Sequence, residues 1–352
     1  MFGKTPARFL CLSTLWLIST SALQATEEQV KTASVHHEWG KLEEVVVGIG
    51  EGLRIPGYSE YVDFIYDPKF LEVMKEYSGQ DAMAIEPELT EKVIEQIDNL
   101  AKVLEEHGVI VHRPSPLDEQ QSKFMDYVEL GRMQLYARDP MLVIGNTVFE
   151  TALKVPMRAK ERFGLRPILS QLWKERGARL ISMPIPDPSF PENGTYIEGG
   201  DVLLNGHEIY VGNSTRASSG AGRSWLQQQL GPDYKVIAVD LEPEWEHLDC
   251  VLALLRPGLG IIYRDGFKGP LPEAIRDWDY VEVTHEEAKK LAANALVLDE
   301  TTAIMDSQHQ RVIKELRNRG HNVIEVPYDA VATWGGAFRC SHHPIIRTST
   351  LK

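Results

Sequence analysis

An Asn-Gly pair separates two apolar runs in the segment Asp201-Val202-Leu203-Leu204-Asn205-Gly206-His207-Glu208-Ile209-Tyr210-Val211-Gly212. Asn-Gly between apolar runs favours a two-stranded hairpin, because both residues tolerate the positive φ angles of a tight turn. A helical pattern at 221–230 and an apolar run at 236–239 follow. The segment therefore predicts a unit of strand, strand, helix and strand.

Units of similar order recur along the chain, at a spacing of about 50 residues. They span 38–112, 141–183, 201–239, 250–283 and 295–326. Strand pairs that alternate with helices at this spacing predict an α/β fold in which the sheets are arranged radially and the strand ends meet at a central cleft. An ordinary mixed-sheet α/β sandwich is the alternative, and it also gathers strand-end loops around one site.

The length and charge of the chain limit the classes of ligand. The chain has 352 residues and a formal net charge of -14. This charge opposes binding to nucleic acid and to anionic lipid surfaces, and it suits small cationic ligands. A homodimer is compatible with the composition.

The N-terminus has the three parts of a secretory signal. Lys4 and Arg8 precede an apolar run at 9–18, and small residues follow at 19–22 and at Ala25. We therefore expect a signal peptide at 1–25 and one domain at 26–352. The protein is expected to be exported to the periplasm or the medium, with no membrane attachment after cleavage.

Chemically active residues stand beside the predicted strands. Acids and a histidine precede three units, and a cysteine follows the last; the segments are Arg138-Asp139-Pro140, Glu198-Gly199-Gly200-Asp201, His247-Leu248-Asp249 and Gly335-Gly336-Ala337-Phe338-Arg339-Cys340. As a strand, the segment at 247–249 would place His247 and Asp249 on one face. Taken singly, each segment also has a structural explanation as a polar turn or strand edge. Their repeated placement favours a shared site.

The paired glycines before Cys340 allow a tight turn that presents the sulfur to a cleft. A buried or disulfide-bonded cysteine is the alternative. His342 and His343 are expected in an exposed loop after it.

This combination of residues suits a guanidinium group. A thiolate attacks an electrophilic carbon, a histidine moves protons near neutral pH, and carboxylates bind a delocalised cation. No Cys-x-x-Cys or His-Glu-x-x-His spacing is present, so we predict neither a metal ion nor a cofactor.

At these residues the sequence resembles the guanidino-group-modifying enzymes, which include glycine amidinotransferase, arginine deiminase and dimethylarginine hydrolase. The likeness covers nearly all of the mature chain and is strongest to the amidinotransferases in four segments, at 38–48, 143–146, 231–234 and 335–340. The resemblance implies a five-bladed α/β propeller.

The resemblance also implies roles for six residues. Cys340 would be the nucleophile, His247 the general acid and then base, and Glu198 the carboxylate that orients His247. The remaining three would bind the substrate: Asp139 and Asp249 the guanidinium nitrogens, and Arg216 the substrate carboxylate.

The implied activity is transfer of the amidino group of arginine, or a related guanidino compound, to a small amine through an amidino-cysteine intermediate. Glu198 with the two following glycines is closer to the deiminases, whereas Trp334 and Gly335 stand where deiminases have an arginine. A deiminase-type hydrolase is therefore the second hypothesis. The third, from another class, is a binding protein for arginine-like cations.

Overall fold

The computed structural model describes Met1, Gly3 and residues 32–58, 68–187 and 194–348. The chain divides into two compact units, residues 1–30 and 31–352. The predicted signal segment 1–25 lies outside the described residues apart from Met1 and Gly3. None of the described helices has the length and apolar character that a membrane crossing requires.

The strands of the described residues are short and mostly buried. They are β1 Lys41–Val47, β2 Ile49–Arg54, β3 Ile110–His112, β4 Arg132–Gln134, β5 Met141–Ile144, β6 Thr147–Glu150, β7 Arg179–Ser182, β8 Val202–Asn205, β9 Glu208–Asn213, β10 Lys235–Asp240, β11 Leu252–Arg256, β12 Leu259–Ile262, β13 Asp279–Glu282, β14 Leu296–Asp299, β15 Thr302–Asp306, β16 Asn322–Val326 and β17 His342–Thr348.

The helices range from single turns to 20 residues. They are α1 Pro68–Tyr77, α2 Ala82–Ile85, α3 Pro87–Glu106, α4 Glu119–Ser122, α5 Glu161–Lys174, α6 Gly220–Leu230, α7 Glu273–Arg276, α8 His285–Lys289, α9 Gln310–Asn318, α10 Asp329–Ala332 and α11 Phe338–Ser341. The longest, α3, begins with a proline, which needs no hydrogen-bond partner for its nitrogen there. It buries Val93, Ile97, Leu100 and Leu104, whose spacing of three or four places them on one face.

Five three-stranded sheets share one pairing pattern, in which an antiparallel pair is followed by a parallel third strand. Their strand orders are β5-β6-β7, β8-β9-β10, β11-β12-β13, β14-β15-β16 and β17-β1-β3. Helical segments precede the third strand in each sheet, as parallel pairing of neighbouring strands requires a crossover. The α/β class predicted from the sequence is confirmed.

The fifth sheet contains both ends of the described chain. β17 pairs antiparallel with β1, and β3 pairs parallel with β1 on its other side. The expectation that His342 and His343 lie in an exposed loop is wrong, because both are buried in β17. The run His342–Thr348 is a strand because it completes a sheet that the N-terminal unit leaves without its first strand.

Candidate active site

The polar residues singled out in the sequence precede the first strand of successive sheets. Asp139 lies before β5, Glu198 before β8, His247 and Asp249 before β11, and Cys340 before β17. Single 3-10 turns at Gly199–Asp201 and Leu248–Cys250 make the approach to β8 and β11. The strand predicted at 247–249 is therefore wrong, although Leu248 still packs in the core while its two neighbours face the site.

One cavity of about 410 Å³, part of it open to solvent, contains the central residues. It is lined by Met133, Tyr136, Asp139, Val155, Met157, Arg158, Glu246, His247, Trp334, Gly335 and Cys340. The structure thus brings together the predicted nucleophile, the predicted proton carrier and one predicted guanidinium ligand.

The turn before Cys340 depends on its two glycines. Gly335 has a φ of +96°, a conformation that side chains rarely adopt. A Cβ on Gly336 would lie 2.7 Å from the ring of Tyr136, and the Gly336 amide donates a 2.9 Å hydrogen bond to that tyrosine's hydroxyl. The predicted tight turn is present, and it places Cys340 on α11 at the cavity wall.

The Cys340 thiol is buried among hydrogen-bonding and charged groups. Asn294 Nδ2 donates to the sulfur at 3.3 Å, and Asp249 Oδ2 lies 3.9 Å from it. Burial raises the pKa of the Cys340 thiol well above its ordinary value, and the negative charges of Asp249 and Asp139 raise it further. Cys250, the other described cysteine, is also a free thiol, so Cys340 forms no disulfide with it.

His247 has the opposite tendency, toward the charged form. Its Nε2 lies 3.0 Å from Glu198 Oε2, and the other Glu198 oxygen accepts a 2.8 Å hydrogen bond from the Lys154 amide. Burial opposes the charge, but the carboxylates of Asp139, Glu246 and Glu198 outweigh it and raise the pKa of His247 well above the usual value. An imidazolium beside a neutral thiol is the resulting charge state.

Both predicted guanidinium ligands already contact arginine side chains. Asp139 accepts from Arg158 at 3.0 Å, and Asp249 accepts from Arg339 at the same distance. Asp139 also accepts a 2.8 Å hydrogen bond from the Gly200 amide. Since each carboxylate has about four acceptor sites, these contacts leave room for a further guanidinium.

Arg216 lies apart from this group. Its Nε donates to the carbonyl oxygen of Pro243, and it is absent from the described residues that line the catalytic cavity. Its role in binding a substrate carboxylate stays a prediction, as do the roles of the other five residues.

Sequence reasoning missed Asn294, Arg158 and Glu246. Asn294 had a usable signal, since it precedes β14 just as Cys340 precedes β17. It accepts hydrogen bonds at Oδ1 from the amides of Arg339 and Cys340, at 2.9 and 3.3 Å. Arg158 comes from a 3-10 turn inside the second unit, where nothing in the local pattern distinguishes it.

The geometry near His247 is compatible with a metal ion in one respect. Ligand atoms of Asp139, Glu198 and His247 all lie within 4.8 Å of one another. Arg158 disfavours that use, because its guanidinium lies 3.0 Å from Asp139 and 3.8 Å from Glu198 and supplies the positive charge there. The group is better explained as a hydrogen-bonded ion network.

Comparison with known proteins assigns the class. The fold and this cluster belong to the guanidino-group-modifying enzymes, which confirms the resemblance seen in the sequence. The family model described as N,N dimethylarginine dimethylhydrolase, eukaryotic, matches residues 73–347, and the chain belongs to this family.

Similar proteins of known activity extend over nearly the whole chain. The mitochondrial glycine amidinotransferase of Danio rerio is 24% identical over 90% of this chain and 83% of its own length. Inosamine-phosphate amidinotransferase 1 of Streptomyces glaucescens is 27% identical over 91% of this chain and 98% of its own. The solved structure of an amidinotransferase of the saxitoxin biosynthetic pathway from Microseira wollei has a TM-score of 0.77, with 23% identity, over 91% of this chain and 98% of its own.

Proposed function

We propose that this protein is an amidinotransferase that moves the amidino group of arginine, or of a related guanidino compound, to a small amine. One observation carries the proposal: a single cavity is lined by the Cys340 thiol, the His247 imidazole and the Asp139 carboxylate. Asp249 adds a second carboxylate 3.9 Å from the sulfur. Relatives named as amidinotransferases support transfer.

In the proposed first half-reaction, the guanidinium binds between Asp139 and Asp249. Its positive charge offsets the two carboxylates that disfavour the thiolate, so binding lowers the pKa of Cys340 and releases its proton. The thiolate forms a bond to the guanidinium carbon. The carbon–nitrogen bond to the alkyl chain then breaks, and the imidazolium of His247 donates its proton to the departing amine.

The second half-reaction reverses these steps with another amine. The amidino group remains on Cys340 as a cationic thioester-like adduct, and His247 is now neutral. His247 accepts a proton from the incoming amine as its nitrogen attacks the amidino carbon. The sulfur–carbon bond breaks and regenerates the thiolate, and Glu198 keeps the imidazole oriented through both steps.

Hydrolysis is the second candidate, because the matching family model describes a hydrolase. Water would replace the acceptor amine in the second half-reaction, and the product would be a ureido compound. The first half-reaction is the same for both functions.

Product analysis by mass spectrometry separates the candidates. The purified protein is incubated with arginine, with and without a mixture of glycine and other small amines. Ornithine with a new guanidino compound, formed only when an amine is present, supports transfer and identifies the acceptor. Citrulline formed without any amine supports hydrolysis, and arginine binding without turnover supports the binding-protein hypothesis.

Two variants test the roles of the central pair. Cys340→Ala should abolish turnover while arginine still binds, and full activity would refute covalent catalysis. His247→Asn should lose both half-reactions, because one group carries the proton in each. An adduct that forms at the normal rate in that variant would refute the assignment.

We also propose a radial arrangement of the five three-stranded sheets, supported by their common pairing pattern and by the site residues that precede the first strand of each. Export after cleavage near residue 25 is proposed from the charged, apolar and small-residue order of the N-terminus.

A further inference from the structure

Glu246 lies where two cavities meet. It lines the catalytic cavity, and it also lines an adjoining cavity of about 430 Å³ together with Glu244, Trp245, Cys250, Lys289, Leu291, Ala332 and Gly335. The side chain is only partly exposed. Within the described part of the chain, no side chain or amide is hydrogen-bonded to its carboxylate.

The other charged groups that line the catalytic cavity have close partners. Arg158 is paired with Asp139 at 3.0 Å and with Glu161 at 2.8 Å, and His247 is paired with Glu198 at 3.0 Å. In keeping with its lack of a direct partner, burial raises the pKa of Glu246, against the opposing charge of His247. A carboxylate in this position favours a cation from the ligand.

The rest of the wall suits an alkyl chain and a cationic group. Met133, Val155 and Met157 provide apolar surface between the polar groups. Trp334 and Tyr136 provide aromatic faces, which attract ammonium groups. The indole nitrogen of Trp334 is buried and has no acceptor among the described residues, so the cavity also offers a donor to a polar ligand.

We propose that Glu246 binds a second cationic group of the substrate, an ammonium separated from the guanidinium by a methylene chain. This inference rests on the proposed function, since it places the guanidinium at Cys340. It specifies the substrate class as guanidino compounds with a distant ammonium, whether or not they also carry a carboxylate.

Three arginine-like probes isolate the distant group. Agmatine carries the ammonium, 4-guanidinobutyrate carries a carboxylate in its place, and propylguanidine carries neither. For the wild type we expect kcat/KM to fall in that order. Glu246→Gln should lower kcat/KM for agmatine on the order of tenfold more than for propylguanidine, the size of one charge-assisted hydrogen bond.

The ratio between two probes removes a confounding effect of the same substitution. Glu246 also raises the pKa of His247, so its loss alters proton transfer for every guanidino substrate. That effect cancels in the ratio of agmatine to propylguanidine. Glu246→Lys should invert the preference and favour 4-guanidinobutyrate over agmatine.

Glu244→Gln is the matched control, because Glu244 lines the adjoining cavity and not the described wall of the catalytic one. It should leave the ratio unchanged. Equal losses for agmatine and propylguanidine in Glu246→Gln, or no loss for either, would overturn the inference.

A binding measurement keeps this inference separate from the proposed function. Agmatine and propylguanidine are titrated into Cys340→Ala and into the same variant with Glu246→Gln. Weaker binding of agmatine alone in the double variant supports the role of Glu246 even if the wild type turns over none of the probes. Equal binding in both variants, beside normal wild-type turnover, refutes the role of Glu246 and leaves the proposed function standing.

Discussion

Replacing Asp249 with asparagine should make the free Cys340 thiol more reactive while it removes catalysis. Asp249 Oδ2 lies 3.9 Å from the sulfur, and the adjacent Arg339 guanidinium favours its ionised form. At an effective dielectric constant of about 20, two negative charges at that separation repel by up to about 4 kcal/mol. Asparagine removes this repulsion and lowers the pKa of Cys340. Turnover falls because one ligand of the guanidinium loses its charge.

The assay is the rate of alkylation by iodoacetamide at pH 7, followed by mass spectrometry of the modified peptide. Cys250→Ala serves as the background, since Cys250 is the other described free thiol. We expect Asp249→Asn to label at least about tenfold faster, although the lower basicity of the thiolate offsets part of the gain. Thermal unfolding of each variant shows whether the contact with Arg339 is retained through the asparagine oxygen.

The result that would refute this reasoning is slower or unchanged labelling in a variant that is fully folded. It would mean that the Asp249 carboxylate does not disfavour the thiolate. A second measurement uses the wild type: a guanidinium ligand without a leaving group should accelerate labelling if it leaves the sulfur accessible, and should lower the pH at which the thiolate appears.

Three further predictions concern the supports of the site. Glu198→Gln should lower the pKa of His247, so the general acid loses its proton at a lower pH and the alkaline limb of the pH–rate profile moves down; an unchanged limb would contradict it. Gly200→Ala should lower kcat with little loss of folding, because a Cβ there would lie 2.7 Å from His247 Nδ1; wild-type kinetics would contradict the close packing. Glu38→Gln should cost about 3 kcal/mol in denaturant unfolding, because it breaks a buried two-point contact with Arg339, each bond 3.1 Å long; a loss below about 1 kcal/mol would contradict it.

The repeat order and the site positions were readable from the sequence because each depends on local pattern. The Asn-Gly hairpin at 205–206 and the apolar runs beside it specify a strand pair through turn geometry and alternation alone. The placement of Asp139, Glu198 and His247 before successive strands followed once the units were aligned. These features need no knowledge of distant contacts.

The pairing of the two chain ends was not readable in this way. β17 is a strand because β1, some 300 residues earlier, offers it an unpaired edge. A local pattern that begins with two histidines and a proline gives no indication of such a partner, and burial of those histidines follows from the pairing. The arginines that contact Asp139 and Asp249 were missed for the same reason, since both ion pairs join segments far apart in the chain.

The charges of the site favour a thiol that becomes reactive only with substrate. Burial and two nearby carboxylates hold the Cys340 pKa high, whereas three carboxylates hold His247 in its charged form. A guanidinium is the ligand that reverses the first effect without disturbing the second, because it adds positive charge at the carboxylates near sulfur. Oxidation requires the thiolate, so this arrangement also protects the nucleophile while the site is empty. That protection suits the proposed export, because compartments outside the cytosol are oxidising and an exposed low-pKa thiolate would be lost there.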